Sequence, residues 1–260
     1  MRNEPYIAQT SGPVAVFVTS HTGQVNVTVD PRATRARIVV GTPDTTGANV
    51  EAVQDTTITE VNGLVQVAVP QPARTNVFSS SGSVYNFHGN VTGSVFSVGG
   101  SGNSNYLFHN GVPTHFASTE AGSPITVDVI VPTSSNIQLF TTSASLHATG
   151  GVLEVLEART ESGSIFATHV AELRAFTVSG AIHADRVDRR VEIDSTSGAM
   201  SIGAWHGSSF RARNVSGPVT ARAMPEASGR MSATTVSGDI DITGADHLAV
   251  GTRTVSGRIR

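Results

Sequence analysis

The chain has 260 residues, 38% of them hydrophobic, so it can bury a sizeable core; with no cysteine it forms neither disulfides nor Cys-ligated metal sites. All 17 basic residues are arginine and the net charge is −3, a balance that gives no reason to expect nucleic acid as a partner. No run of 18 apolar residues occurs and no apolar signal region follows Met1–Tyr6, which predicts no membrane insertion and a cytoplasmic location.

Taken in chain order, residues 1–74 form an N-terminal β-strand region. Val14–Thr19 and Gln24–Val29 alternate apolar and polar residues around a turn at His21–Gly23. Arg35–Val40 reads as a third strand, closed by Gly41–Pro43. Ile58–Val61 and Leu64–Val69 flank Asn62-Gly63, a pair that tolerates the positive φ angles of a tight hairpin turn. Pro70 and Pro72 stop the strand. No long stretch shows helical periodicity.

Residues 75–122 differ in character. From Thr75 to Thr119 there is no Asp, Glu or Arg, yet half of the chain's aromatic residues fall here among Ser, Asn and Gly. A flexible linker would share the Gly and Ser content but lack the aromatics. The segment reads as a β-rich insert, with short strands at Val84–His88, Ser94–Val98 and Tyr106–His109. Its aromatics Tyr85, Phe87, Phe96, Tyr106 and Phe108, set in an uncharged polar surround, are the candidate ligand-binding residues.

Residues 123–260 read as repeats. Ile125–Val131 alternates cleanly, and a Ser-Gly pair then recurs at Ser162, Ser179, Ser197, Ser216, Ser237 and Ser256, in steps of 17, 18, 19, 21 and 19 residues. Thr142–Leu146 stands where an earlier mark would fall. Strand-like text on both sides of a mark with a period near 20 predicts an all-β fold, a parallel β-solenoid (β-helix) of about seven rungs. Gly163, Gly180, Gly198, Gly217, Gly238 and Gly257 are its structural corners, where backbone angles or close rung-to-rung approach exclude a Cβ. Ser at the same corner satisfies nearby backbone groups. Ala175, Ala212, Ala221 and Ala233 suit a narrow interior.

Thr235–Ile242, with its variants Phe176–His183 and Thr254–Arg260, resembles the DUF4097 family of bacterial β-strand-repeat proteins, which carry an adhesin-like label. Val61–Val67 resembles the family's hairpin, and Val127–Pro132 the strand before its repeats. The resemblance covers residues 10–74 and 123–260. The 75–119 insert departs from it, standing where such proteins have a short connection; its run at 89–95 is similar to other Gly-punctuated repeats and could add rungs. The family implies a β-solenoid and no established catalytic residues.

Sites with chemistry are few. Asp239 with Asp241, and Glu192 with Asp194, each place two carboxylates on one face, as a glycosidase requires, but alternation produces such pairs on any rung. His88, His109 and His115 share the insert at a spacing that matches no standard metal motif. Gly99–Asn105 offers Asn where a calcium repeat needs carboxylates, so it is no such site. Nucleophile-elbow, P-loop and serine-lysine motifs are absent. Arg211, Arg213, Arg222 and Arg230 lie on adjacent rungs and could form an anion-gripping ladder, but residues 151–260 hold twelve acidic side chains against twelve arginines, which favours a face of mixed ion pairs.

The expected function is therefore that of a non-enzymatic, adhesin-like binding or scaffold protein with no cofactor and no metal. It contacts a protein or carbohydrate through the solenoid faces or the insert. The alternatives are a carbohydrate-active β-helix enzyme, marked by a groove with three or more converging acidic or Arg side chains, and a self-assembling protein that pairs through its solenoid ends.

Overall fold

The computed structural model describes residues 3–72 and 123–260 throughout, and between them the backbone of five strands. The main body is a parallel β-solenoid of about six turns, close to the expected number of rungs. Two sheets face each other across its interior. The first face stacks, in order, β6 (Leu64–Ala68), β2 (Ala15–Ser20), β13 (Asn136–Thr141), β15 (Leu153–Thr160) and the second half of β16 (Ile165–Thr177). It continues through the second half of β17 (Ile182–Ser195), β19 (Ser209–Arg213), β21 (Arg230–Thr234) and β23 (Ala249–Arg253), all parallel.

The second face stacks β12 (Thr126–Val131), β3 (Gln24–Val29), β14 (Ser145–Gly150), the first halves of β16 and β17, β18 (Met200–Trp205), β20 (Val219–Ala223) and β22 (Ile240–Thr243). Strands β2 and β3, near the start of the sequence, thus supply a rung: β2 lies between β6 and β13, and β3 between β12 and β14.

Alternation decides what goes inside. Leu156, Leu173, Val191, Phe210 and Met231 form one inward column of the first face, and Ala158, Ala175, Ile193, Ala212 and Ala233 the next; all are buried. Leu146, Ile165, Ile182, Met200, Val219 and Ile240 oppose them from the second face. The small residues expected to suit a narrow interior, Ala221 among them, are buried there. Trp205 and Phe210 meet edge to face at 5.6 Å.

The Ser-Gly corners show why the mark is a glycine. A Cβ on Gly198 would stand 1.8 Å from the carbonyl oxygen of Gly180, and one on Gly180 would stand 1.9 Å from that of Gly163. These are backbone atoms of the rung beneath and cannot move aside. The requirement is close approach, not a special φ. Four corner glycines donate their N–H to a buried hydroxyl three residues earlier: Thr160, Thr177 and Ser195 accept from Gly163, Gly180 and Gly198 at 2.9 Å, and Thr235 accepts from Gly238 at 3.0 Å. Asn214 varies the theme, its amide donating to the Gly198 carbonyl at 2.7 Å while its own oxygen accepts from the Val215 N–H. The corner serines donate across to the previous rung, as Ser197 does to the Val178 carbonyl and Ser216 to that of Thr196, both at 3.2 Å.

The far end of the stack is antiparallel. β5 (Thr57–Val61) pairs with β6 through the expected Asn62-Gly63 turn, where both residues have positive φ. β4 (Arg37–Gly41) pairs with β12, and the two-residue β1 (Tyr6–Ile7) pairs with β4. Helix α1 (Ala48–Gln54) joins β4 to β5 and buries Val50, Ala52 and Val53. No long helical pattern announces it, because it spans only seven residues. Glu60 ties this end together, accepting from the Tyr6 hydroxyl at 2.8 Å and from the backbone N–H groups of Gln9 and Thr10 at 2.7 and 2.9 Å. The hydrogen bonds from Thr10, followed by those from Gln9 and Tyr6, hold its carboxyl down at a pKa of about 2. No helix among the described residues is long and apolar enough to cross a membrane.

Between the proline stop and Ser123, β7 (Asn76–Ser80), β8 (Ser83–Phe87), β9 (Ser97–Gly99), β10 (Asn105–His109) and β11 (Val112–Phe116) form a separate antiparallel sheet in the order β8-β7-β11-β10-β9. Two of the three strands expected in the insert coincide with β8 and β10. The third lies at Ser97–Gly99, later than expected, and the sheet consists of antiparallel pairs, not added solenoid rungs.

Two predictions follow from the corner and the latch. Gly198→Ala should cost about 3 kcal/mol or more, and Thr177→Ala, which strands a buried N–H, about 1–3 kcal/mol. Gly251→Ala, where a Cβ meets nothing within 4 Å, should stay within about 0.5 kcal/mol when all three variants are unfolded by urea titration. For Glu60 the folded pKa is depressed, so its contribution is complete above the ordinary value of 4.5 and is lost as pH falls toward about 2. The difference in melting temperature between wild type and Glu60→Gln should therefore shrink across that window; a constant difference would show that the latch does not act through the ionised carboxylate.

Candidate binding face

Every second residue of the first-face strands points outward, so the outer surface is a lattice fixed by the backbone. Adjacent rungs are about 4.8 Å apart and alternate residues along a strand about 7 Å apart. In the middle column Gln138, Glu157, Arg174, Glu192, Arg211 and Ser232 follow one another in register. Charge therefore alternates in sign from rung to rung between Glu157 and Arg211. The neighbouring column carries Phe140, Arg159, Phe176, Asp194 and Arg213.

These side chains pair locally. Arg159 lies 3.3 Å from Glu157, and its guanidinium sits 5.7 Å from the centre of the Phe140 ring, which in turn contacts Phe17 at 5.4 Å. Arg174 pairs with Glu172 at 3.7 Å and Arg213 with Asp194 at 3.4 Å. Arg189, at the junction of the two faces, pairs with Glu154 and Glu172, and the hydrogen bond it donates to Glu154 raises its already high pKa. At the centre of the face, Glu157, Arg159, Arg174, Phe176, Glu192 and Asp194 line a depression of about 350 Å³. Phe176, 45% exposed, is the apolar element of that charged wall.

The second face has a different surface. His147, Phe166 and His183 stack outward on three rungs, with ring centres 5.9 and 5.2 Å apart and the second pair nearly parallel at 7°. His183 also contacts Asp185 at 2.8 Å. Asp188 is held by His169 and Arg186, each at 2.7 Å; burial alone would raise its pKa, but these hydrogen bonds carry it below the usual value.

Several sequence candidates can now be placed. Glu192 and Asp194 do share the first face and the depression, whereas Asp241 belongs to the second-face strand β22 and Asp239 stands at the corner before it, accepting the Arg258 N–H at 2.8 Å. Arg211, Arg213 and Arg230 lie on the first face and Arg222 on the second, so the four do not form one ladder. Tyr85, Phe87, Phe96, Tyr106 and Phe108 have side chains outside the described residues, as do His88, His109 and His115. Among the described residues no group of three or more His, Asp or Glu could hold a metal ion. Phe176 was missed as a candidate because, in the text, it is one of many residues in a repeat; its exposure follows from the register alone.

A model of the Toastrack DUF4097 family matches residues 115–260, more than half of the chain. The chain belongs to this family. Similar solved structures include a provisionally named adhesin from Parabacteroides merdae, at 10% identity over 98% of this chain and 95% of that one, with a TM-score of 0.46. A provisionally named lipid-binding protein from Parabacteroides distasonis is similar at 11% identity, over 99% and 96% of the two chains, with a TM-score of 0.45. A provisionally named cell adhesion protein from Clostridium sporogenes gives 9% identity, 100% and 99% coverage and a TM-score of 0.33. No curated protein matches the chain. The matched segment of this Toastrack chain runs from β12 through β23, and so takes in the whole of the candidate face from β13 onward.

Proposed function

We propose that this Toastrack protein is a non-enzymatic, adhesin-like binding or scaffold protein that holds a macromolecule against the outer surface of its first solenoid face. The observation that carries this reading is Phe176, half-exposed and lining a depression together with Glu157, Arg159, Arg174, Glu192 and Asp194. A large apolar ring inside a rim of fixed charges has the composition of an interface anchor, with the ring supplying affinity and the charges orientation. The lattice beneath is rigid, so little ordering cost accompanies contact. The 75–122 insert is a further candidate for contact on the same reading, because its aromatics sit in an uncharged polar sequence.

A carbohydrate-active enzyme is the second reading, favoured by one observation: three carboxylates and two guanidinium groups line the same depression. Two of those carboxylates are held by arginines, Glu157 by Arg159 and Asp194 by Arg213, which suits fixed charge better than proton transfer.

The test is surface plasmon resonance of the full chain over a panel of neutral and acidic polysaccharides, cell-envelope fractions and peptides. Phe176→Ala should weaken the bound member of the panel about tenfold, equivalent to about 1.4 kcal/mol. Unchanged affinity in that variant would remove the face from consideration. New reducing ends from a polysaccharide, produced by wild type and lost in Glu192→Gln, would establish the enzymatic reading instead.

A further inference from the structure

The charge lattice of the first face is not paired throughout. Toward β21, Arg190, Arg211 and Arg230 are exposed, and none has an ion-pair or side-chain hydrogen-bond partner among the described residues. Their neighbours Arg159, Arg174 and Arg213 are all paired, so the contrast is local. Register places the three around one point. Arg190 and Arg230 flank Ser209 on the rungs either side of it, and Arg211 lies two residues further along the same strand as Ser209. Arg190 and Arg230 are thus roughly 10 Å apart at the backbone, with Arg211 about 7 Å from the serine. Ser232 stands next to Arg211 on the following rung, and neither serine side chain has a partner among the described residues.

We infer that Arg190, Arg211 and Arg230, with the hydroxyls of Ser209 and Ser232, form a binding site for an acidic polysaccharide, a glycan whose sugars carry carboxylate or sulfate groups. This rests on the reading of the first face as a binding surface. Guanidinium groups bind such oxyanions through paired N–H donors, and the two serines offer donors and acceptors to sugar hydroxyls between the charges. The surroundings select for sparse charge. Glu172, Glu192 and Asp194 lie on the rungs just before and beside the triad, so a chain bearing a charge at every step meets repulsion there. A nucleic acid strand carries one negative charge about every 3.4 Å and is disfavoured by that pattern. A glycan with charges separated by neutral, hydroxylated stretches fits it. The face is also continuous: Arg174, Glu192 and Arg211 are successive members of one column, so a chain anchored at the triad runs directly toward Phe176, whose exposed ring can receive the apolar side of a sugar.

The experiment is biolayer interferometry of the full chain on immobilised hyaluronate, which carries one carboxylate per disaccharide, keratan sulfate, which carries sulfate and no carboxylate, neutral dextran and duplex DNA. Arg211→Glu and the pair Arg190→Ser with Arg230→Ser test the triad, and Arg222→Ser on the opposite face controls for general charge. Wild type should bind hyaluronate or keratan sulfate and not neutral dextran, with weakening as salt rises. Either triad variant should lose at least tenfold, Arg222→Ser should stay within twofold, and all should keep the wild-type melting temperature. The two acidic glycans separate carboxylate from sulfate as the recognised group. Equal binding to neutral dextran, equal loss in Arg222→Ser, or tighter binding to DNA than to either glycan would overturn the inference. Binding of another panel member that depends on Phe176 but not on the triad would leave the proposed function standing and remove this site alone.

Discussion

The structure depends on the distance between one corner glycine and the backbone of the rung beneath it. At Gly163, Gly180, Gly198, Gly217, Gly238 and Gly257 a Cβ would collide with the carbonyl of the previous corner, so the rungs seat backbone on backbone. Hydroxyls at Thr160, Thr177, Ser195, Thr235 and Thr254 take the glycine N–H groups, and the corner serines reach across to the previous rung. A corner without these acceptors would bury an unsatisfied donor on every turn. Register is thereby fixed at one place per rung, and the inward columns of Leu, Ile, Val and Ala fall into line behind it.

The same constraint makes the outer face usable. Side chains on an ordinary loop find their own spacing, whereas those on this face inherit it from the stack. Glu157, Arg174, Glu192 and Arg211 alternate in sign because they occupy consecutive rungs of one column, and Phe176 stands exposed because its position alternates outward. The polar chemistry is correspondingly passive. Paired carboxylates and guanidinium groups hold a pattern in place; the guanidinium groups of Arg190, Arg211 and Arg230 beside Ser209 have no such partner among the described residues.

The end away from the repeats is built by other means. There β2 and β3 enter the stack from more than a hundred residues earlier in the chain, Val14 donating its N–H to the Ser135 hydroxyl across that separation at 3.1 Å. Antiparallel β1, β4 and β5 together with α1 finish the end, and Glu60 fastens Tyr6, Gln9 and Thr10 to β5. Parallel pairing inside the solenoid and antiparallel pairing at this end share one continuous apolar interior.

By itself the sequence determined the all-β class, the repeat and its corners, because period-two alternation and a glycine mark near every twentieth residue are local signals tied to backbone sterics. The hairpin at Asn62-Gly63 was legible for the same reason. The Thr, Ser or Asn three residues before each corner glycine was visible in the text, but its role depends on burial that only the stack creates. Tertiary structure alone decided that β2 and β3 form a rung, that Arg211 and Arg230 share a face while Arg222 does not, and that Phe176 lines a charged depression. Those outcomes turn on which strand lies over which. That is a pairing between residues far apart in the chain, and alternation along any one strand cannot specify it.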